Sequence, residues 1–190
     1  MLSLISASPS GAAAEMSHDS YPDSTIAAIL GSAFTFAFVG ASANTSRPSY
    51  FVMKYLIGKG YRVIPVNPGH GGEKILDQTV YATLEDIPDP VDVVDVFRNS
   101  AAALDITRQA IALKDKLGIK VVWMQLSVRN DEAAALAESA GLQVVMNRCP
   151  KIEYGRLSGE IGWLGYNTGS ISSKRPQLAP GVQRHVIART

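Results

Sequence analysis

The 190-residue chain has few of the residues from which metal and redox centres are built: one cysteine, Cys149, and three histidines, His18, His70 and His185. A single thiol excludes an internal disulfide and a cysteine-rich zinc site. Three scattered histidines give no ligand spacing, so no metal is expected. The first 46 residues contain no lysine or arginine. That leaves out both the basic start of a secretory signal and an arginine-rich presequence, and a cytoplasmic protein is expected. Charge of one sign is lacking as well. A formal net charge of +1 supplies no basic face for nucleic acid. No apolar run approaches the roughly 20 residues of a membrane span. A soluble protein with neither nucleic acid nor membrane as partner is expected.

Apolar residues make up 46% of the chain against 18% charged, enough for one domain with its own core. Residues 1–22 are rich in Ser, Ala, Pro and Gly and are expected to form a disordered extension, because they bury too little apolar surface to offset ordering. The domain proper is expected over 23–157. Residues 158–190 form a C-terminal extension, partly ordered near Trp163 and Tyr166. From 161 onward it has no acidic residue and carries Lys174, Arg175, Arg184 and Arg189.

Within 23–157 the pattern is regular. Asp23 or Ser24 can cap a short helix that Gly31 ends, and the run 34–39 is strand-like up to Gly40. A helix is expected over 48–59, with Pro48 in its first turn. A second strand over 61–66 runs into a Gly- and Pro-rich stretch, 67–72, that neither helix nor strand continues through. Strands at 91–97, 119–126 and 142–146 are mostly apolar on both faces, as in a buried parallel sheet. Helices at 101–117 and 131–140 separate them, and 84–87 reads as a helical turn. After Pro150 the periodicity fades. Strands alternating with helices imply a Rossmann-like, doubly wound α/β fold: a mainly parallel five-stranded sheet with helices on both faces.

Ligands of such sheets bind beyond the carboxyl ends of the strands. The first of those loops holds Gly40, Ala41, Ser42, Asn44, Thr45, Ser46 and Arg47. A tight turn, small polar donors, a helix N-terminus and a fixed positive charge together suit a phosphate. A polar loop that merely caps the helix has the same composition. A nicotinamide dinucleotide site wants G-x-G-x-x-G and an acid after the second strand. Here Ser42 replaces the second glycine, the third is missing, and the second strand ends in Pro65-Val66-Asn67-Pro68 with no acid until Glu73.

Five segments together resemble the stand-alone CoA-binding protein family: Gly40-Ala41-Ser42; Arg47-Pro48-Ser49-Tyr50; Gly60 through Pro68; Val91 through Arg98; and Asn147-Arg148-Cys149-Pro150-Lys151-Ile152-Glu153. The likeness covers about 26–157 and extends, more distantly, to the CoA-binding domain of the succinyl-CoA synthetase alpha subunit. It implies coenzyme A or an acyl-CoA laid across the carboxyl edge of the sheet. The pyrophosphate would lie near Gly40, Ala41, Ser42, Asn44 and the helix opening at Ser46 to Ser49, with Arg47 as counter-charge. The adenine would lie against Pro65, Val66, Asn67 and Pro68. Val96, Phe97 and Arg98 would form the next wall, Gln125 and Leu126 would border the pantetheine path, and Asn147 and Cys149 would close the set.

Cys149 has two readings: a thiol made reactive by Arg148 and Lys151, or a buried inert one. No histidine is expected near it to serve as base, so no catalytic residue is assigned. Asp92 and Asp95 are expected to be structural, and Glu153 to cap or to pair with Arg148 or Arg156. The synthetase relatives need a catalytic histidine on another domain and a nucleotide-grasping partner, which this chain lacks. Binding without chemistry is therefore the expectation. The alternatives are an NAD(P)-dependent oxidoreductase on the same architecture and a CoA-responsive regulatory subunit, with a homo-oligomer or a protein partner.

Overall fold

The structure is a computed structural model that describes residues 17–160. Five strands, β1 (Thr35–Val39), β2 (Arg62–Val66), β5 (Val93–Val96), β6 (Val121–Met124) and β7 (Gln143–Val145), form one sheet in the order β2-β1-β5-β6-β7. Every pairing in it is parallel. Both faces of these strands are covered, which is why their sequences are continuous apolar runs rather than alternating ones. The short β3 (Lys74–Ile75) and β4 (Gln78–Thr79) pair antiparallel as a separate hairpin.

Helices α1 (Asp23–Ser32), α2 (Pro48–Gly58) and α5 (Pro150–Leu157) cover one face. There Ile26, Leu30, Val52, Met53, Leu56 and Tyr154 pack on Phe36, Phe38, Val93, Trp123 and Val145. Helices α3 (Ser100–Leu117) and α4 (Asp131–Ser139) cover the other. Their small residues Ala103, Ala110, Ala133, Ala134 and Ala137 meet Ala37, Val94, Val96, Val122, Met124 and Val144. Short side chains on both helices let them approach the sheet and each other closely. The expected doubly wound α/β fold is the one observed. No helix among the described residues is long and apolar enough to cross a membrane.

Several local expectations are corrected. Pro22, not Asp23 or Ser24, occupies the N-cap of α1, and Gly31 is buried inside that helix, which ends at Ser32. The turn expected at 84–87 is present, closed by Ile87 N–H to Leu84 O at 3.3 Å, and Asp86 accepts from Thr83 N at 2.9 Å and Thr83 Oγ1 at 2.7 Å. The fading pattern after Pro150 conceals α5. Residues 17–22, taken as part of a disordered extension, pack on the sheet's far end. There the Tyr21 hydroxyl accepts Met146 N–H at 2.7 Å, and His18, 7% exposed, faces Glu138 at 3.3 Å. Residues 1–16 and 161–190, with the expectations about Trp163, Tyr166 and the basic tail, lie outside the described residues.

The two edges of the sheet are finished differently. Pro65 lies in edge strand β2, opposite Phe38 of β1. Its carbonyl accepts Tyr81 N–H at 3.0 Å and Asn67 N–H donates to Tyr81 O at 2.9 Å, so the strand's outer side is covered by the chain that follows the hairpin. A residue's N and O point the same way in a strand, so the donor that proline lacks falls on that outer side and costs β1 nothing. At the opposite edge, β7 is three residues long and gives way to the Met146 N–H that Tyr21 holds.

Candidate functional site

With β3 and β4 set aside, the main sheet has the doubly wound order 2-1-3-4-5, whose topological switch lies between its first and third strands, β1 and β5. Chains leaving these two strands turn to opposite faces, and a crevice opens between their loops. Backbone hydrogen bonds continue past the strand ends and fix the loops there: Gly40 N to Val66 O at 2.9 Å, Phe97 N to Val39 O at 2.8 Å and Arg148 N to Met124 O at 3.3 Å. The result is a cleft of about 590 Å³ at the carboxyl edge of the sheet.

Gly40, Ala41 and Ser42 form the bottom of the cleft on the β1 side, and Arg47, Pro48, Ser49 and Val52 present the head of α2. Gly40 has φ +94°, and a Cβ there would lie 2.7 Å from Arg98 Cδ and 2.9 Å from the Phe97 carbonyl oxygen. The glycine is thus what lets the Arg98 side chain lie across the turn. Arg47 and Arg98 are exposed, and among the described residues neither guanidinium pairs with a carboxylate. The first turn of α2 begins with a proline and has no side-chain cap. Its N–H groups and the two arginines therefore present uncompensated positive charge to the same turn.

Across the cleft stand Phe97, Asn99, Leu126 and Val128, with Gln125 and Cys149 in the lining. This half is largely apolar. Cys149 takes the N-cap position of α5. Burial pushes its thiol up, and the charge of Asp95 adds to that, against the backbone N–H groups of Ile152 and Lys151, which pull it down. Beneath it, burial holds the Asp95 carboxyl well above the ordinary carboxylate range, although the hydrogen bond from Gln125 acts the other way. Glu153, 7% exposed, meets Arg156 at 2.7 Å and Arg148 at 3.7 Å, so it pairs with both arginines.

Of the residues singled out in the sequence, Gly40, Ala41, Ser42, Arg47, Asn67, Phe97, Arg98, Gln125, Leu126 and Cys149 line the cleft. The others are placed around it. Asn44 and Ser46 are occupied with each other, Asn44 Oδ1 accepting Ser46 N at 2.9 Å and Ser46 Oγ at 2.7 Å. Pro65, Val66 and Val96 are buried in the sheet beneath the cleft floor, and Pro68 opens an exposed 3₁₀ turn. Asn147, at φ +52°, accepts Ser127 N–H at 2.9 Å and pins the β6 loop. Asn67 uses both ends of its amide, donating to Ala41 O at 2.8 Å and accepting from Gly69 N at 3.0 Å. Val52, Asn99 and Val128 were not anticipated. Val52 follows Ser49 by three residues and so shares its helix face, the one signal that could have found it.

Fold and cleft together define a doubly wound α/β domain with an open cleft at the carboxyl edge of its sheet. Residues 35–155 match the CoA binding domain family, so the chain belongs to that family. The uncharacterized protein YneT of Bacillus subtilis is 30% identical over 126 residues, which cover 66% of this chain and 89% of YneT. A hypothetical protein of Pyrococcus horikoshii is 42% identical with a TM-score of 0.67, the match covering 73% of this chain and 94% of that one. A Thermus thermophilus protein is 38% identical with a TM-score of 0.67, covering 72% and 99% respectively. Among the described residues no group of three His, Cys, Asp or Glu side chains is disposed to hold a metal.

Proposed function

We propose that the cleft binds coenzyme A or an acyl-CoA, with no chemistry of its own. The observation that carries this reading is the pair of carboxylate-free guanidiniums, Arg47 and Arg98, beside the uncapped head of α2, next to an apolar half-cleft. A diphosphate takes the charged end, where backbone N–H groups and guanidinium donors meet it. The chain that follows the diphosphate lies along Phe97, Leu126 and Val128. Family membership points to the same ligand class. The position at the end of β2 where a nicotinamide dinucleotide needs a free carboxylate holds Asn67, whose amide is engaged at both ends.

Calorimetry of the full chain with CoA, acetyl-CoA and NADH tests this. CoA or acetyl-CoA is expected to bind at one site per chain, and NADH weakly or not at all. Arg47→Ala should weaken CoA by about tenfold or more without moving the melting temperature, since a charge-assisted hydrogen bond contributes about 1.5–3 kcal/mol. Tight NADH binding, or indifference to every CoA derivative, overturns the reading.

A further inference from the structure

Asp95 lies in the middle of the sheet with no exposed surface, and among the described residues no lysine or arginine lies within ion-pair distance of it. Its neighbours on the same face of the sheet, Val93 of its own strand and Trp123 of β6, are apolar. A carboxyl buried without counter-charge lowers stability, so packing alone does not account for it. Its hydrogen-bond partner is Gln125, whose Nε2 donates at 3.0 and 2.9 Å to the two carboxyl oxygens.

In the structure that contact gives the Gln125 amide its direction. Nε2 and Oε1 diverge from one planar carbon, so an Nε2 turned to Asp95 turns Oε1 away from it. Gln125 is 7% exposed and lines the cleft. Among the described residues no donor meets Oε1. Nor is Oε1 enclosed in the protein: the described side-chain oxygen that is both fully enclosed and unpartnered is Thr107 Oγ1, in another part of the fold. Oε1 therefore opens into the cleft. It is a neutral acceptor in a cleft that Phe97, Leu126 and Val128 also line. An acceptor there takes an N–H donor and disfavours a phosphate, whose oxygens only accept.

We infer that Asp95 is a positioning residue that holds Gln125 Oε1 toward the cleft, where it accepts an amide N–H of the arm that joins the diphosphate to the thiol. This rests on the CoA reading above and adds to it: the arm is read by a hydrogen bond as well as by apolar contact, through a pair of residues set 30 positions apart.

The test compares two ligands by calorimetry on the full chain: CoA, and adenosine 3′,5′-bisphosphate, which has the nucleotide but no arm. Gln125→Met keeps the length and removes the acceptor. Asp95→Asn keeps the shape but replaces one of the two acceptors of Nε2 by a donor, so the amide is no longer held with Oε1 toward the cleft. Each variant is expected to lose about tenfold in CoA affinity while changing bisphosphate affinity less than about twofold. The double variant should be no worse than the worse single one, because the two residues act as one unit. If Asp95→Asn fails to fold, the Gln125→Met comparison decides alone. Equal losses for both ligands, unchanged CoA affinity, or additive losses in the double variant overturn the inference while the CoA reading stands. A wild-type protein that binds neither ligand overturns both.

Discussion

Gly40→Ala probes the turn on which the cleft is built. At φ +94° an L side chain is strained by about 1–3 kcal/mol. The added methyl also meets two groups of different stiffness. Arg98 Cδ, at 2.7 Å, belongs to a flexible side chain and can swing aside. The Phe97 carbonyl oxygen, at 2.9 Å, is backbone at the exit of β5, and it can move only if the strand end moves. Forcing an extra carbon into packed space costs about a further 1–3 kcal/mol. Even the lower sums come to about 2 kcal/mol, which lowers the melting temperature by roughly 4–8 °C at about 2–4 °C per kcal/mol for a chain of this size. Thermal unfolding followed by circular dichroism measures this, and CoA titration of the same variant should show a weaker complex, because Arg98 no longer lies across the turn. Gly58→Ala is the control. Nothing lies within 4 Å of a Cβ at Gly58, in the last turn of α2, so alanine there should leave stability unchanged or raise it by up to about 1 kcal/mol. A Gly40→Ala protein that melts within about 2 °C of wild type and binds CoA normally would refute the account of the turn.

Two further outcomes are expected. Cys149, its thiol pushed up by burial and by Asp95, should react with iodoacetamide more slowly than a free thiol at neutral pH, gain rate on the alkaline side, and slow further when CoA is present; reaction as fast as that of free cysteine would contradict its environment. Asp92 accepts the N–H groups of Phe34 at 2.8 Å and Thr35 at 3.0 Å and pairs with Lys120 at 2.9 Å. Burial pushes this carboxyl up, but those bonds outweigh it and hold the group below its ordinary value. Its stabilisation is therefore complete above the unfolded-state pKa, about 3.9, and is lost as pH falls through the lower folded-state value. Asp92→Ala should cost about 1.5–3 kcal/mol in urea unfolding at pH 7 and markedly less at pH 2. An equal cost at both pH values would show that the charge is not involved.

Much of this architecture is legible in the chain because buried parallel strands leave an unambiguous mark. Phe36 to Val39, Val93 to Val96 apart from Asp95, and Val121 to Met124 are apolar on both faces and stop at polar loops, so strands and cleft-forming turns are found together. What escaped has identifiable causes. Helix α5 buries Glu153 at a position where a periodic pattern needs an apolar residue, and only its pairing with Arg148 and Arg156 makes that burial tolerable. The β3–β4 hairpin turns at Leu76 and Asp77, with φ +49° and +63°. Both lie in the left-handed region that an Asn-Gly or Asp-Gly pair usually marks, and the lone Asp77 after a leucine gave only a weak signal. Residues 17–22 dock through the side chains of His18 and Tyr21, which an averaged composition hides. Asp95 and Gln125 become partners only through the pairing of β5 with β6, and a single sequence holds no record of that register.

The finished margins of the sheet bear on how copies of this protein can meet. With Pro65 turned outward behind the Tyr81 segment, and a three-residue β7 that runs out beneath Tyr21, neither rim offers, among the described residues, a long run of free main-chain groups on which another strand could grow. A dimer that extends the ladder from one copy to the next is thereby disfavoured at the described edges. Among the described residues, the apolar surface left for a second copy to meet is on helices and loops, where Phe51, Leu126 and Ile152 face the solvent.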